Sequence, residues 1–381
     1  MEMTQIAEIV NETTAQVTGT EPLDGVDLNE IVDAGAEVLD TDKVDHYVKN
    51  LIDRIGKVVF VNRPYTGSTP SVMMDSWEFG AVLEKIQYEG IPEAEDNESW
   101  DLEDGRSYDP NVFYKPTVSA KFFSERRTFE VPMSFAQRQV KSAFTSAGQV
   151  QALFSMIETA ISNGMTVKMD SLVQGTINNF MATLITNKGV GTSPRVCCLL
   201  TDYAAFTGKT APAADVALSD PEFVRFMAFA MKRKASQMEK FGTVFNNGGK
   251  YRHTPSDRLH VIMHADAAAA ADAYLQSDTY HNEFVKLPNA EKVAFWQGSG
   301  TAFDFADTSK IIVTPRGEET EIEVGGIVGV MFDRDALGVS NLDRRVTTNW
   351  NPKGEFTNNW YKFDAGYFND FNENGVVFLL A

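Results

Sequence analysis

The chain is short of cysteine, histidine and positive charge and has no long apolar run, and each shortage closes off a class of function. Only Cys197 and Cys198 occur in 381 residues, adjacent in RVCCLL. Neighbouring side chains on a strand point to opposite faces, so these two should not bond to each other. Without histidines beside them they neither frame a disulfide scaffold nor complete a zinc site, and they read as small buried residues of a core strand. Bases number 34 against 53 acids, a net charge of −19. Proteins that grip nucleic acid neutralise phosphates with a basic face; this balance instead repels DNA and favours solubility at high concentration. No apolar stretch approaches the ~18 residues that a membrane helix needs. The opening MEMTQIAEIVNETTAQ has neither a basic n-region nor an apolar h-region, so no signal peptide is expected.

What is present describes a globular chain: 43% of residues are hydrophobic and 11% aromatic, enough for two or three domains. Residues 1 to about 56 read as three short helices. In the third, Val44, Val48, Leu51, Ile52 and Ile55 recur at helical spacing, with Thr41 as N-cap and Gly56 as stop, before a strand KVVFVNRP. The first two, around Ile6 to Val17 and Leu28 to Leu39, look like a tethered arm. Residues 89–110 hold nine acids and one base, Arg106, with Pro92, Gly105 and Pro110 excluding a helix. With the alternating stretch from Val112 to Phe135, this predicts a long projecting hairpin that buries little by itself and needs a neighbour to cover it.

From about Gly148 to Leu184 the spacing predicts one long helix, kinked or interrupted at Gly164 and Gly175. Residues 190 to about 345 read as mixed α/β. Strands are expected at SPRVCCLLT, LHVIMHA, SKIIVTP, TEIEVGG and IVGVMF, with a helix opened by Asp220-Pro221 and an Ala-rich helix after LHVIMHA. The tail reads as two strands about the turn NENG.

The motifs that carry chemistry all fail on one residue. TGKT at 207–210 lacks the P-loop glycine, because Tyr203 stands in its place, so a turn is expected. Asp370, Asn372, Asn374 and Gly375 begin a calcium loop whose bidentate Glu position is Ala381, and FDRDALG at 332–338 puts Arg344 there. His253, His260, His264 and His281 lack ligand spacing, and Ser299 lacks the first glycine of a nucleophile elbow. No catalytic, cofactor or metal residues are therefore assigned. An acidic hydrolase using carboxylates of 89–110 stays open as an alternative.

Four stretches carry a resemblance: NLIDRIGKVVF, FFSERRTFEVPMSFAQRQVKSAFTSAGQVQALFSMIETAI, LHVIMHADAAAAADA and NPKGEFTNNWYKFDAGYFNDFNENGVVFL. With the order of parts, they are similar to the major capsid proteins of tailed bacteriophages, closest in pattern to those of small short-tailed phages. The resemblance implies an α+β Hong Kong 97-type fold. It is divided as an N-terminal arm (1–75), an extended hairpin loop (76–135), a peripheral domain with spine helix (136–189), an axial α/β domain (190–344) and C-terminal return strands of the peripheral domain (345–381). It implies a non-enzymatic subunit that self-assembles into pentamers and hexamers of an icosahedral shell around double-stranded DNA, which it touches only weakly and non-specifically. Implied partners are copies of itself, a separate scaffolding protein, a portal and a decoration protein. It also implies no cofactor, no membrane, assembly in the bacterial host cytoplasm and residence in the virion. Some relatives cross-link a loop lysine to a neighbour's Asn; Lys115 and Lys121 lie in the loop, but no acceptor can be matched. Candidate subunit contacts are Glu93, Glu95, Asp96, Asp101 and Glu103 of the loop, Arg126 and Arg127, and the run Lys232, Arg233 and Lys234. An encapsulin-like nanocompartment shell shares the fold and remains the alternative within this class.

Overall fold

The computed structural model describes residues 3–19, 32–33, 38, 44–61, 69–74, 82–88, 94, 97–187, 193–276, 290–298, 310–315 and 318–381. The first helix, α1 (Met3–Thr18), turns Ile6, Ile9 and Val10 inward and packs on α2 (Val44–Val61), with an Arg54–Glu12 ion pair at the rim. The arm-like reading of this helix is thus corrected: its apolar face joins the main core. Most of the expected second helix lies outside the described residues. α2 also overturns two expectations, since Gly56 lies inside it and 57–61 continue as helix where a strand was predicted. An interior glycine costs about 1 kcal/mol against alanine. The complete burial of Tyr47, Val48, Leu51, Ile52 and Ile55 in the preceding turns outweighs it.

After β1 (Met73–Met74), two strands form a separate ribbon: β2 (Leu83–Tyr88) and β3 (Val118–Phe123) pair antiparallel. β4 (Arg126–Ala136) leads through α3 (Gln137–Ala143) into α4 (Ala147–Thr186), which runs unbroken for 40 residues. At about 1.5 Å per residue that is roughly 60 Å. The expected interruption is absent. Gly164 serves packing, because a Cβ there would meet Val131 of β4 at 3.0 Å, so the missing side chain lets strand and helix close up. The C-terminal half of α4 is surrounded, and Gln174, Thr176, Asn178 and Thr183 are buried along with Ile177, Phe180 and Met181.

The axial part follows: β5 (Val196–Cys198), α5 (Leu199–Thr207), α6 (Pro221–Met238), β6 (Leu259–His264), α7 (Ala265–Gln276) and β7 (Ala290–Val293). The expected strand SPRVCCLLT is short, because Leu199 already opens α5. That helix ends at Gly208, whose φ of +70° makes TGKT a turn. Asp220 caps α6 by accepting from the Glu222 N–H at 2.9 Å, with Pro221 in the first turn. β8 (Gln297–Gly298), β9 (Lys310–Val313) and β10 (Ile322–Gly325) make a small sheet. β11 (Ile327–Asp333), β12 (Leu337–Asn351), β13 (Phe356–Asn369) and β14 (Gly375–Leu379) complete the chain.

Two larger sheets organise these strands. One has the order β1-β12-β13-β4 and lies along α2 and α4; the other has the order β5-β14-β11-β6-β7. The C-terminal strands were expected to return together to the peripheral part. They divide instead: β13 sits inside the first sheet, and β14 enters the second between β5 and β11. Residues 370–374 thus connect the two sheets. The second sheet is covered on both faces, which explains its nearly continuous apolar strands. Cys197 faces the core shared with α6 and Cys198 the core shared with α4, as alternation requires. Both thiols are free and buried, and burial pushes that of Cys197 up to about 11.

Candidate functional site

Among the described residues, most of the exposed large hydrophobic side chains lie on the ribbon and the tip it carries. Its two arms pair in register from Leu83↔Phe123 to Tyr88↔Val118, so alternate residues share a face. Leu83, Lys85 and Gln87 lie with Ser119, Lys121 and Phe123 on the face turned to the body. There Phe123 packs on Phe368 at 5.0 Å between ring centres, beside Met74, Leu83 and Leu342. The opposite face presents Ile86, Val118 and Phe122, with Ile86 72% and Phe122 62% exposed.

Beyond the arms, residues 97–117 have almost no regular structure. Short local bonds shape them: Asn97 accepts from the Ser99 N–H, Asp109 from the Asn111 N–H, and the Tyr108 hydroxyl from the Glu103 N–H. Trp100 is 94% exposed, Phe113 82% and Tyr114 77%. Several large side chains this exposed on one short segment are a common mark of a binding surface.

The body-facing side of the ribbon meets the turn that joins the two sheets. Lys121 Nζ lies 2.7 Å from Asp370 Oδ1 and Lys85 Nζ 3.4 Å from Oδ2, and the Asp370 side chain has no solvent exposure. Gln87 donates to Asp370 at 3.2 Å and to Glu373 at 3.0 Å. Lys85 also donates to the Asp335 carbonyl and sits 4.9 Å from the centre of the Phe368 ring. Burial raises the carboxyl pKa of Asp370, but the bonds and charges of Lys121 and Lys85 prevail and hold it below the usual range. For Glu373 burial prevails, and its pKa stands above the usual range despite Arg252 at 3.3 Å. Between ribbon and axial part opens a cleft of about 570 Å³, whose walls include Lys85, Gln87, Phe241, Tyr251, Arg258 and Asp335.

Both incomplete calcium loops turn out to be structural turns. Asp370 takes the lysines, Asn372 donates its N–H to Asp370, and Asn374 donates to Thr254, which itself bonds Asp333. Arg258 bridges Asp333 and Asp335 in the other turn. His260 is half-buried, stacked on Phe332, and His264 is buried near Trp296. Among the described residues no cluster of His, Cys, Asp and Glu is arranged to hold a metal. No helix among them is long and apolar enough to cross a membrane.

The candidate contacts are spread over three places. Asp101 and Glu103 are exposed on the tip, while Glu93, Glu95 and Asp96 lie outside the described residues. Arg126 and Arg127 are exposed at the start of β4, Arg127 over the Phe129 ring at 5.8 Å. Lys232, Arg233 and Lys234 are half-buried on α6; Arg233 lies over Phe229 and Lys234 over Phe245, each at 5.6 Å. Within one chain, none of the ion pairs among the described residues joins the tip acids to these bases. The docking of the ribbon is not visible in the sequence alone: there Lys121 reads only as a loop lysine, and nothing links it to Lys85 or Asp370. The available signal was two lysines at matching positions of two strands in an acidic chain.

Comparison with known proteins agrees with this architecture. The chain is 22% identical over 321 residues to the major capsid protein of Bacillus phage GA-1, covering 82% of this chain and 56% of that protein, so it spans little more than half the relative's length. Among solved structures it resembles the capsid of Staphylococcus phage Andhra with a TM-score of 0.53. It also resembles a chain from the head fiber and inner core protein gp22 structure of native bacteriophage P68, with a TM-score of 0.51. Each likeness is at 8% identity and covers 84% of this chain and 86% of the other, and each shows the fold, that of Hong Kong 97-type capsid proteins. Neither a nanocompartment shell nor a hydrolase finds support among these relatives. The profile of Phi29-like phage major capsid proteins matches residues 6–379, nearly end to end, and the chain belongs to that family.

Proposed function

We propose that this chain is a structural subunit that assembles with copies of itself, as pentamers and hexamers, into an icosahedral shell enclosing phage double-stranded DNA. The observation that carries the reading is the ribbon, one face docked on its own chain and the other bare up to a tip rich in exposed aromatics. A closed ring needs heterologous contacts, in which an element of one copy lies over a different surface of the next. The ribbon supplies that element. The acidic tip, with Glu93, Glu95, Asp96, Asp101 and Glu103, then meets Arg126 and Arg127 or the α6 bases Lys232, Arg233 and Lys234 of a neighbour.

In this reading residues 1–75 are the N-terminal segment, whose first helix packs into the main core, 76–135 the extended loop, 136–189 the spine and its surroundings, 190–344 the axial part and 345–381 the C-terminal strands, divided between the two larger sheets. The subunit acts without catalysis or cofactor and works with a separate scaffolding protein, a portal and a decoration protein. It touches DNA weakly, as its net charge of −19 favours, and passes from the host cytoplasm into the virion. Deleting 92–108 tests this. The shortened chain should fold as a monomer and fail to form the shells that the parent forms with its helper proteins, seen by negative-stain electron microscopy and sedimentation. Normal shells from the deletion would remove the loop from the mechanism.

A further inference from the structure

The register of the ribbon places Lys85 directly opposite Lys121. Like charges facing each other across two strands oppose pairing, and an isolated two-stranded ribbon is marginal even with favourable pairs. The root of the ribbon therefore carries a contact that pushes its own strands apart. The compensating charge comes from the far end of the chain: the two carboxylate oxygens of Asp370, wholly buried, each take one of the ammonium groups. Asp370 is itself fixed. The Asn372 N–H donates to its side chain, and its own N–H donates to the Ala336 carbonyl. Asn247 and Gly248 donate to the Phe371 carbonyl beside it.

We propose that Asp370 is a positioning residue that makes pairing of the ribbon's strands conditional on docking. Away from Asp370 the two lysines confront each other and the strands separate; on Asp370 they are bridged and the strands close. The loop is thus either paired and docked, pointing its tip in one direction, or neither. An intact ribbon does not swing freely. Only the consequence for assembly rests on the shell reading; the coupling belongs to the single chain.

Hydrogen exchange read by mass spectrometry on the unassembled chain at neutral pH tests this. Asp370→Asn should raise exchange at 83–88 and 118–123 at least tenfold while β13 and β14 keep their protection. Unchanged exchange in the ribbon would overturn the proposal. The double variant Asp370→Asn with Lys121→Glu exchanges the repelling pair for an attracting one and leaves the cluster charge-balanced, so it carries the test even if the single variant fails to fold. Protection at 83–88 and 118–123 should return to within a few-fold of the parent. If it does not return, Asp370 serves only the body of the protein and the coupling is wrong. Electron microscopy of the same variants reports separately on shells, so failure of the shell reading and failure of the coupling are distinguishable.

Discussion

The five-stranded sheet and the ribbon are both β structure, but they solve opposite problems. In the sheet every strand of β5, β14 and β11 is buried on both sides, with Phe332 and Phe378 fully enclosed. In the ribbon half the side chains face solvent, and the docked half joins a small apolar contact, Phe123 on Phe368, to charges gathered on the buried carboxylate of Asp370. A region that closes its own surface contributes to folding; a region that leaves surface open keeps it for binding.

That contrast can be broken or sharpened at four points. The largest effect on folding is expected from Phe180→Ala. The ring is fully buried, stacked on Phe371 at 5.7 Å and edge-on to Phe332, and lies against Gly375. A loss of about 3–5 kcal/mol should appear in urea unfolding; a loss under 1 kcal/mol would deny that α4 and the sheet share a tight core. Next comes Gly329→Ala, whose Cβ would sit 2.7 Å from the backbone oxygen of Ile262. Forcing β11 and β6 apart should cost about 1–3 kcal/mol, and parental stability would show the sheet to be more yielding than this.

Acid should act on the ribbon first, and late. Asp370 is held below its ordinary value of 3.8, so its contribution is complete above that pH and is lost as pH falls through the lower folded value. Glu373 is held above its ordinary 4.5, so protonating it between neutrality and that value relieves a cost. The ribbon's protection, taken relative to the intrinsic exchange rate at each pH, should therefore not fall between pH 7 and 4.5 and should fall only below 3.8. A loss of protection near pH 6 would contradict this assignment. The smallest effect belongs to Trp100→Ser with Phe113→Ser: the monomer's stability should move by less than about 0.5 kcal/mol, while shell yield collapses. A large thermal shift in the monomer would mean that the tip packs on its own chain.

Much of the order of elements was legible, because periodicity and caps are local signals. The face of α2 from Val44 to Ile55, the Asp220-Pro221 start of α6 and the alternation of Cys197 and Cys198 all follow from neighbours in sequence. What escaped depends on distant partners. Gly56 ends no helix because tertiary burial decides. Gly164 reads as a break until Val131 is beside it. The destination of β14 is a question of pairing between strands far apart in the chain. The ribbon's anchor was the least legible, since Lys85 and Asp370 stand 285 residues apart, and Asp370 was read within a failed metal loop.

The turn at 370–374 also has a mechanical meaning. It is bounded by β13, which has β12 and β4 on its two sides, and by β14, flanked by β5 and β11. A tug on the loop, transmitted through Asp370, enters the molecule at the junction of two interior strands. Neither strand can peel from an edge; each must slide past both neighbours, loading many ladder bonds together. The loop is attached like a handle riveted through two plates, and any load on it is shared between them.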